Sequence, residues 1–358
     1  MWSCIQGDFG PNGTSCDDLC HRVGLSLSAA SVTYLIVCLP LGLAVNALIL
    51  VVNLRHKASL DMPDVYFTNM ALAGLLLNLV ALVQLPSPDY LLWPAWTFGR
   101  EVCMASFILF NMASLVSIYS STLLSLDCFI WQAVPHTHLA SAYNTRHVCS
   151  FVWGGSALAS FSSLLFYVCS KVSDRADDCS KLQTQELGDA IMVFTGFLVP
   201  VAGVAYALRL LLCSGKESQP AVQSSSAEAD SNISSALHRL LLATVSVQFA
   251  LWLPYYVALL VSTARVVSEP GEAHRSAGLL HFIRGWGELI AYLSSCVVPL
   301  LYRRLHKSFE VRARRLVHEL RCAVRTCGRH RPAQRQHVST VSWAETGLSP
   351  NAVEVNDN

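Results

Sequence analysis

The chain has 358 residues, of which 53% are hydrophobic and only 14% are charged, with a formal net charge of +1 and a mean hydropathy of +0.43. These values exclude an ordinary soluble domain and predict a protein that lies mostly in lipid. The 13 cysteines are scattered along apolar runs, so we interpret most of them as small packing residues rather than as a disulfide scaffold.

Residues 1–27 are predicted to form an extracellular arm. The arm contains a glycosylation sequon at Asn12 and three cysteines, Cys4, Cys16 and Cys20. Because sequons of this type are modified on exposed segments outside the cytosol, we expect Asn12 to carry a glycan. The pairing of the three cysteines stays open.

Seven apolar runs follow the arm, and each is long enough to cross a hydrocarbon core of about 30 Å as a helix. They cover about 28–54, 64–86, 103–127, 147–170, 188–213, 239–264 and 277–302. Basic residues Arg55 and Lys57 directly after the first run place that loop inside and the N-terminus outside. The sequence therefore predicts a seven-helix bundle over 28–302.

Three segments between or beside the runs have distinct compositions. Asp61 to Asp64 is predicted to cap the second helix. Residues 214–237 are rich in Ser, Gln, Glu and Ala and lack apolar periodicity, so a disordered cytoplasmic loop is predicted there. Asn46 lies inside the first run, where an unpaired amide is costly, and we expect it to face the bundle.

The last helical segment, 303–320, interleaves basic and apolar residues at helical spacing. This pattern predicts an amphipathic juxtamembrane helix on the inner leaflet, with anionic lipid rather than nucleic acid as its partner. Cys322 and Cys327 follow where palmitoylation could add an anchor, although unmodified cysteines fit equally well. Residues 321–358 are predicted to form a mobile polar cytoplasmic tail.

Further sequence markers occur in order along the chain: Asn46, Trp96, Cys103, Asp127, Trp153, Cys179, Pro200, Trp252-Leu253-Pro254 and Pro299-Leu300-Leu301-Tyr302. Taken in order, these markers resemble the rhodopsin-like (class A) G-protein-coupled receptors. The resemblance implies an all-α membrane protein with a seven-helix bundle and a cytoplasmic amphipathic eighth helix in the plasma membrane. It also implies an extracellular ligand and a cytoplasmic G protein or arrestin.

The resemblance implies a disulfide between Cys103 and Cys179, with pairing of either one to a cysteine of the arm as the alternative. It also implies a ligand pocket lined by Phe110, Asn111, Trp252, Tyr255, Tyr256 and Tyr292, beside Glu288. Acids in spanning helices face the interior or water, so Glu288 is predicted either to contact ligand or to pair with Arg284. An aromatic wall without an acid on the third helix favours a hydrophobic or peptide-like ligand over a small amine.

The residues expected to act as switches toward the transducer depart from the family pattern. They are Asp127, Cys128, Phe129, Pro299 and Tyr302. Cys128 stands where the family has an arginine, and cysteine cannot form a permanently charged bidentate fork, so coupling must use other contacts.

Two further departures remove a metal site. Gly74 and Val298 stand where the family places a sodium-binding aspartate and an asparagine. Without those oxygens a buried sodium ion has too few hard ligands. We therefore predict that sodium does not alter ligand affinity or basal signalling.

The sixth helix also departs from the family pattern, because Gln248 stands where the family usually has a phenylalanine.

The sequence lacks three motifs that would indicate an enzyme or a cofactor. A Cys-x-x-Cys pair, a His-Glu-x-x-His helix and a glycine-rich phosphate loop do not occur, so neither enzyme activity nor a cofactor is expected. A signalling receptor is the favoured interpretation. The departure at Cys128 leaves a second interpretation open, a seven-helix scaffold that does not couple to a G protein. A transporter is less favoured, because it would show internal repeats and paired charges at mid-membrane.

Overall fold

The computed structural model describes residues 17–57, 60–85, 100–133, 142–172, 184–214, 226–268 and 273–329. These residues form helices joined by short caps, without a strand among them. We number the helices in chain order: α1 (17–55), α2 (Met62–Gln84), α3 (Arg100–Ala133), α4 (Ala142–Val172), α5 (184–214), α6 (Ser226–Ser268), α7 (Ala273–Leu305) and α8 (Lys307–Arg329).

Two of the helices contain a π-helical turn. In α1 the turn Tyr34–Cys38 separates Asp17–Thr33 from Leu39–Arg55, and in α5 the turn Phe194–Leu198 separates Thr184–Val193 from Val199–Ser214. π turns often occur at functional sites because they re-aim side chains.

Helices α1 to α7 pack into a closed bundle. Helix α3 contacts α2, α4, α5 and α6, and α7 packs on α6 and also contacts α1 and α2. By length and composition, five described segments can cross a membrane: Gly24–Arg55, Met62–Gln84, Ala105–Cys128, Gly188–Leu210 and His238–Ala264. Large apolar side chains such as Phe151, Leu158 and Ile36 are exposed on the outer surface, as expected of helices that face lipid.

The helix ends correct three predicted boundaries. Helix α1 begins at Asp17, inside the predicted arm 1–27, and α8 continues to Arg329, beyond 320. Helix α6 begins at Ser226, so the prediction of disorder over 214–237 is wrong for 226–237. This segment contains alanine and glutamate and lacks proline and glycine, so an established helix can propagate through it.

The start of α2 agrees with the sequence prediction. Asp61 is its N-cap, Pro63 lies in its first turn, and the Asp61 amide donates to Asp64 Oδ2 at 3.0 Å in a capping box. The bundle and the beginning of α8, through Ala313, form one compact unit, and the chain from Arg314 forms a second.

Candidate functional site

The two ends of the bundle carry different charged clusters. We call them the Asp64 end, where α2 begins and α7 ends, and the Arg284 end, where α5 and α7 begin. The fully buried Asp64 side chain is the centre of the first. Its Oδ2 serves the capping box, while Oδ1 accepts hydrogen bonds from the end of α7 and from α8.

Tyr302 anchors the end of α7 at this cluster. Its hydroxyl donates to Asp64 Oδ1 at 2.6 Å, and its ring stacks on Phe67 of α2 at 4.3 Å. On its other sides the ring contacts His306 at 5.2 Å and Phe309 at 5.0 Å. Tyr302 therefore joins α2, α7 and the start of α8 in one packed group.

Arg312 of α8 supplies the charge that balances Asp64. Its Nη2 lies 2.7 Å from Asp64 Oδ1 and 3.3 Å from the Tyr302 hydroxyl. Burial opposes the charged guanidinium, but the hydrogen bond and the negative charge of Asp64 outweigh it and raise the pKa of Arg312. By residue type Asp61, Asp64 and His306 could ligate a cation. The guanidinium already bound to Asp64 opposes a metal ion there by charge repulsion.

The predicted switch at the end of α3 has a different environment. Asp127 accepts a hydrogen bond from the Tyr66 hydroxyl of α2 at 2.5 Å. The partner of this acid is therefore a neutral phenol from another helix, and not an arginine next to it in sequence as in the family pattern. Cys128 is buried, 1% exposed. A direct contact of Cys128 with a cytoplasmic partner would therefore require its exposure; Phe129 lies in α3, but its side chain is outside the described part.

Amides and hydroxyls fill the centre of the bundle, where the family's sodium aspartate would lie. Asn46 Nδ2 donates to the backbone oxygens of Gly42 and Ser295, both at 2.7 Å. Asn78 Oδ1 accepts from Tyr34 and Ser295 at 3.1 Å. None of these groups is a carboxylate, and the absence of a sodium effect stays a prediction.

Within the described residues, hydrogen bonds also join helices α3 and α6. Gln248 Nε2 donates to Ser117 Oγ at 2.9 Å, and Ser114 Oγ lies 2.9 Å from the Tyr256 hydroxyl. Gln248, which departs from the family's phenylalanine, thus adds a polar contact between the helix that carries Asp127 and the helix that contains Pro254.

At the Arg284 end, one guanidinium is shared between two acids. Arg284 Nη1 lies 3.3 Å from Asp189 of α5, and its Nε lies 3.4 Å from Glu288 Oε1, one turn along α7. The ion pair between Arg284 and Glu288, one of the two predicted alternatives, is therefore present. Asp189 was not predicted, because its pairing depends on how α5 packs.

The aromatic residues predicted to line a pocket lie together beneath this end. The centre of the Phe110 ring lies 5.7 Å from the ring centre of Trp252, 5.4 Å from that of Tyr255 and 5.3 Å from that of Tyr292. Tyr256 packs on Tyr255 at 5.2 Å. These five side chains are at most 2% exposed, so they fill much of the space between α3, α6 and α7.

Two further features of the bundle interior offer hydrogen-bonding capacity. Asn111 is fully buried, and within the described residues neither its Oδ1 nor its Nδ2 has a hydrogen-bond partner. A cavity of about 20 Å³, lined by Gln84, Ser31 and Glu288 among others, has room for about one water molecule. Gln84 also accepts from the Tyr292 hydroxyl at 2.7 Å.

Several predicted site residues lie outside the described residues. They are Asn12, Cys179 and the side chains of Cys103 and Cys327. Cys322 is described: it is exposed in α8, with Sγ 3.8 Å from His318 Nδ1. Pro299 lies inside α7, three residues before Tyr302.

The structure adds Asp64, Arg312 and Tyr66 to the predicted set. The sequence signal for Asp64 was an acid at the start of an apolar helix, which we interpreted only as a cap. Arg312 was one of many basic residues in an amphipathic segment, and spacing alone did not distinguish it from its neighbours.

Comparison with known proteins assigns the chain to a family. The model of the "7 transmembrane receptor (rhodopsin family)" matches residues 45–302. The chain belongs to the rhodopsin family of seven-transmembrane receptors. The match confirms the predicted seven-helix membrane bundle, and this receptor is a multi-pass membrane protein.

Among the relatives of this receptor, the G-protein coupled receptor 146 of Xenopus laevis is 47% identical over 330 residues, which cover 91% of this chain and 96% of that protein. The mouse protein of the same name is 44% identical over 331 residues, with the same coverage. The human G-protein coupled estrogen receptor 1 is 29% identical over 310 residues, covering 82% of this chain and 75% of the relative. The predicted resemblance to class A receptors is confirmed.

Proposed function

We propose that this receptor transmits the signal of an extracellular ligand to a cytoplasmic G protein or arrestin. The observation that carries the proposal is the family match over 45–302, together with Tyr302, which packs at the Asp64 end beside α8. Arg55 in the last turn of α1 lies at this same end. Basic residues favour the cytoplasmic side, so we place the Asp64 end inside and the N-terminus outside.

The aromatic cluster supports a ligand that is hydrophobic or peptide-like. The cluster consists of the rings of Phe110, Trp252, Tyr255 and Tyr292, which a ligand would have to separate, and α3 contributes the neutral amide of Asn111 rather than an acid. A buried amide without a partner is costly. A ligand that inserts between these rings and supplies a polar group to Asn111 would remove that cost and bury its own apolar surface.

G-protein dissociation in cells tests the signalling proposal. We expect the wild-type receptor to dissociate at least one class of heterotrimer above the level of untransfected cells, in proportion to its surface amount. We expect the Cys128→Arg variant to change that level, because a guanidinium would compete with Tyr66 for Asp127. Gly155→Ala, at an exposed position with open space around its Cβ, is the matched control and should behave as wild type.

Silence of both the wild type and Cys128→Arg toward every class of heterotrimer and toward arrestin, at equal surface amounts, would contradict the proposal. Such silence would favour a seven-helix scaffold that does not couple. The observation that supports a scaffold is the buried Cys128, which stands where the family has an arginine. Protease treatment of intact cells that removed the C-terminal tail would contradict the proposed orientation.

A disulfide between Cys103 and Cys179 is part of the same proposal. It would close a loop of about 76 residues, for which the chain-entropy model gives roughly 4 to 5 kcal/mol of stability. We expect Cys103→Ser, Cys179→Ser and the double variant to lose surface expression to the same extent, measured by antibody labelling of intact cells. A loss confined to Cys103→Ser would contradict this pairing and favour a partner in the arm.

A further inference from the structure

We propose that the ion pair between Asp64 and Arg312 is a latch that keeps the end of α7 against α2 in the resting receptor. The inference rests on the proposed function in one respect, that movement at the Asp64 end reaches a transducer. It assigns Arg312 as a positioning residue that acts through Asp64 and Tyr302.

The geometry of the Asp64 carboxylate makes it a fixed anchor. Oδ2 is held by the backbone N–H of Asp61 at 3.0 Å, which orients Oδ1 toward α7 and α8. Oδ1 then receives the Tyr302 hydroxyl at 2.6 Å and Arg312 Nη2 at 2.7 Å. Charge-assisted hydrogen bonds of this length are the strong ones, so three chain segments are joined through one buried side chain.

Arg312 is the group that makes this anchor stable. Asp64 is fully buried, and a buried carboxylate without a counter-charge is strongly unfavourable. His306 Nε2 lies 3.1 Å from the same oxygen, but imidazole is charged only when protonated, whereas the guanidinium is always charged. Tyr302 cannot leave Asp64 without also disturbing Arg312, because Nη2 of Arg312 lies 3.3 Å from the tyrosine hydroxyl.

The end of α3 cannot provide the same restraint. Cys128 offers no charge, and Asp127 already accepts a hydrogen bond from the Tyr66 hydroxyl, so the partner of the acid at that site is an uncharged group. In the family pattern, an arginine on α3 carries a permanent positive charge at this end of the bundle. In this receptor Arg312 of α8 carries that charge instead, and it pairs with Asp64 of α2.

The test uses the full-length receptor with Asp64→Asn, Arg312→Gln and the double variant. Each single variant should lower the melting temperature of the purified receptor, because one buried charge loses its partner. The double variant removes both charges and should recover much of that loss. All three variants should raise the rate of amide hydrogen exchange of residues 307–313 by about tenfold, the factor expected when a buried charge-assisted hydrogen bond is lost. All three should also raise basal G-protein dissociation.

The matched control is Arg315→Gln, which removes an exposed charge from the same helix and should leave exchange and dissociation unchanged. Raised dissociation in the double variant, whose fold is restored, would separate loss of the latch from misfolding. Exchange equal to that of Arg315→Gln in all variants would overturn the latch. Faster exchange without dissociation in any form of the receptor, wild type included, would support the latch and overturn the proposed coupling.

Discussion

The Gly287→Val variant is expected to unfold at a much lower temperature than the wild-type receptor and to be nearly absent from the cell surface. A Cβ at Gly287 would lie 2.8 Å from Tyr255 Cα and 3.0 Å from Tyr255 N. These are backbone atoms of α6, which cannot rotate away as a side chain would. Overpacking of this kind costs about 3 kcal/mol or more.

The reason lies in how closely α6 and α7 approach at this point. Pro254, whose carbonyl carbon would lie 3.1 Å from the added Cβ, lies inside α6 directly before Tyr255. Moving α6 outward would also separate the rings of Tyr255 and Phe110, now 5.4 Å apart. The lost aromatic contact would add to the cost.

Melting of the purified receptor and surface labelling both measure this effect. Gly155→Val is the matched control, because a Cβ at Gly155 meets no atom within 4 Å. Gly287→Ala should have a smaller effect of the same sign. Equal stability of Gly287→Val and Gly155→Val would show that α6 and α7 can separate freely, contrary to this packing.

The Gly74→Asp variant, which restores the family's carboxylate, is also expected to be strongly destabilised. A Cβ at Gly74 would lie 2.8 Å from Asn46 Oδ1 and 3.0 Å from Asn46 Nδ2. The amide cannot swing aside freely, because its Nδ2 is bonded to two backbone oxygens. The new carboxylate would be buried beside an acceptor oxygen, and we expect a loss of about 3 kcal/mol or more.

Two measurements separate the steric cause from the loss of a sodium site. Adding Asn46→Ala to Gly74→Asp removes the obstructing amide and should recover part of the lost melting temperature. Basal dissociation by the wild-type receptor should not respond to millimolar sodium replaced by an organic cation. A clear sodium response of the wild type, or full stability of Gly74→Asp alone, would contradict this account of the bundle centre.

The contents of the Arg284 end were partly predictable. Arg284 and Glu288 are four residues apart, so a helix places them on one face, and the predicted alternatives included this pair. The rings of Phe110, Trp252, Tyr255 and Tyr292 were grouped from the family resemblance, and the structure brings them into contact. Their role in binding ligand stays a prediction. The depth at which they fill the interior depends on how the helices pack.

The Asp64 end shows what sequence reasoning left out. Asp64 was recognised as a helix cap, which is a local property of four consecutive residues. Its partner Tyr302 is 238 residues away, and the basic segment that contains Arg312 has many equivalent cations. Only the packing of α7 and α8 on α2 selects one of them, so the spacing of residues could not identify the pair.

The sequence by itself determined the number and order of the membrane helices, the cap of α2 and the absence of the family's charged residues at Cys128 and Gly74. The helices and the cap follow from local composition and from hydropathy over about 20 residues, which neighbours do not change, whereas the departures at Cys128 and Gly74 follow from the family resemblance. The tertiary structure decided which buried polar groups meet: Asp64 with Arg312, Asp127 with Tyr66 and Arg284 with Asp189. A buried polar group must find a partner wherever the helices cross, and the crossings are set by packing of the whole bundle.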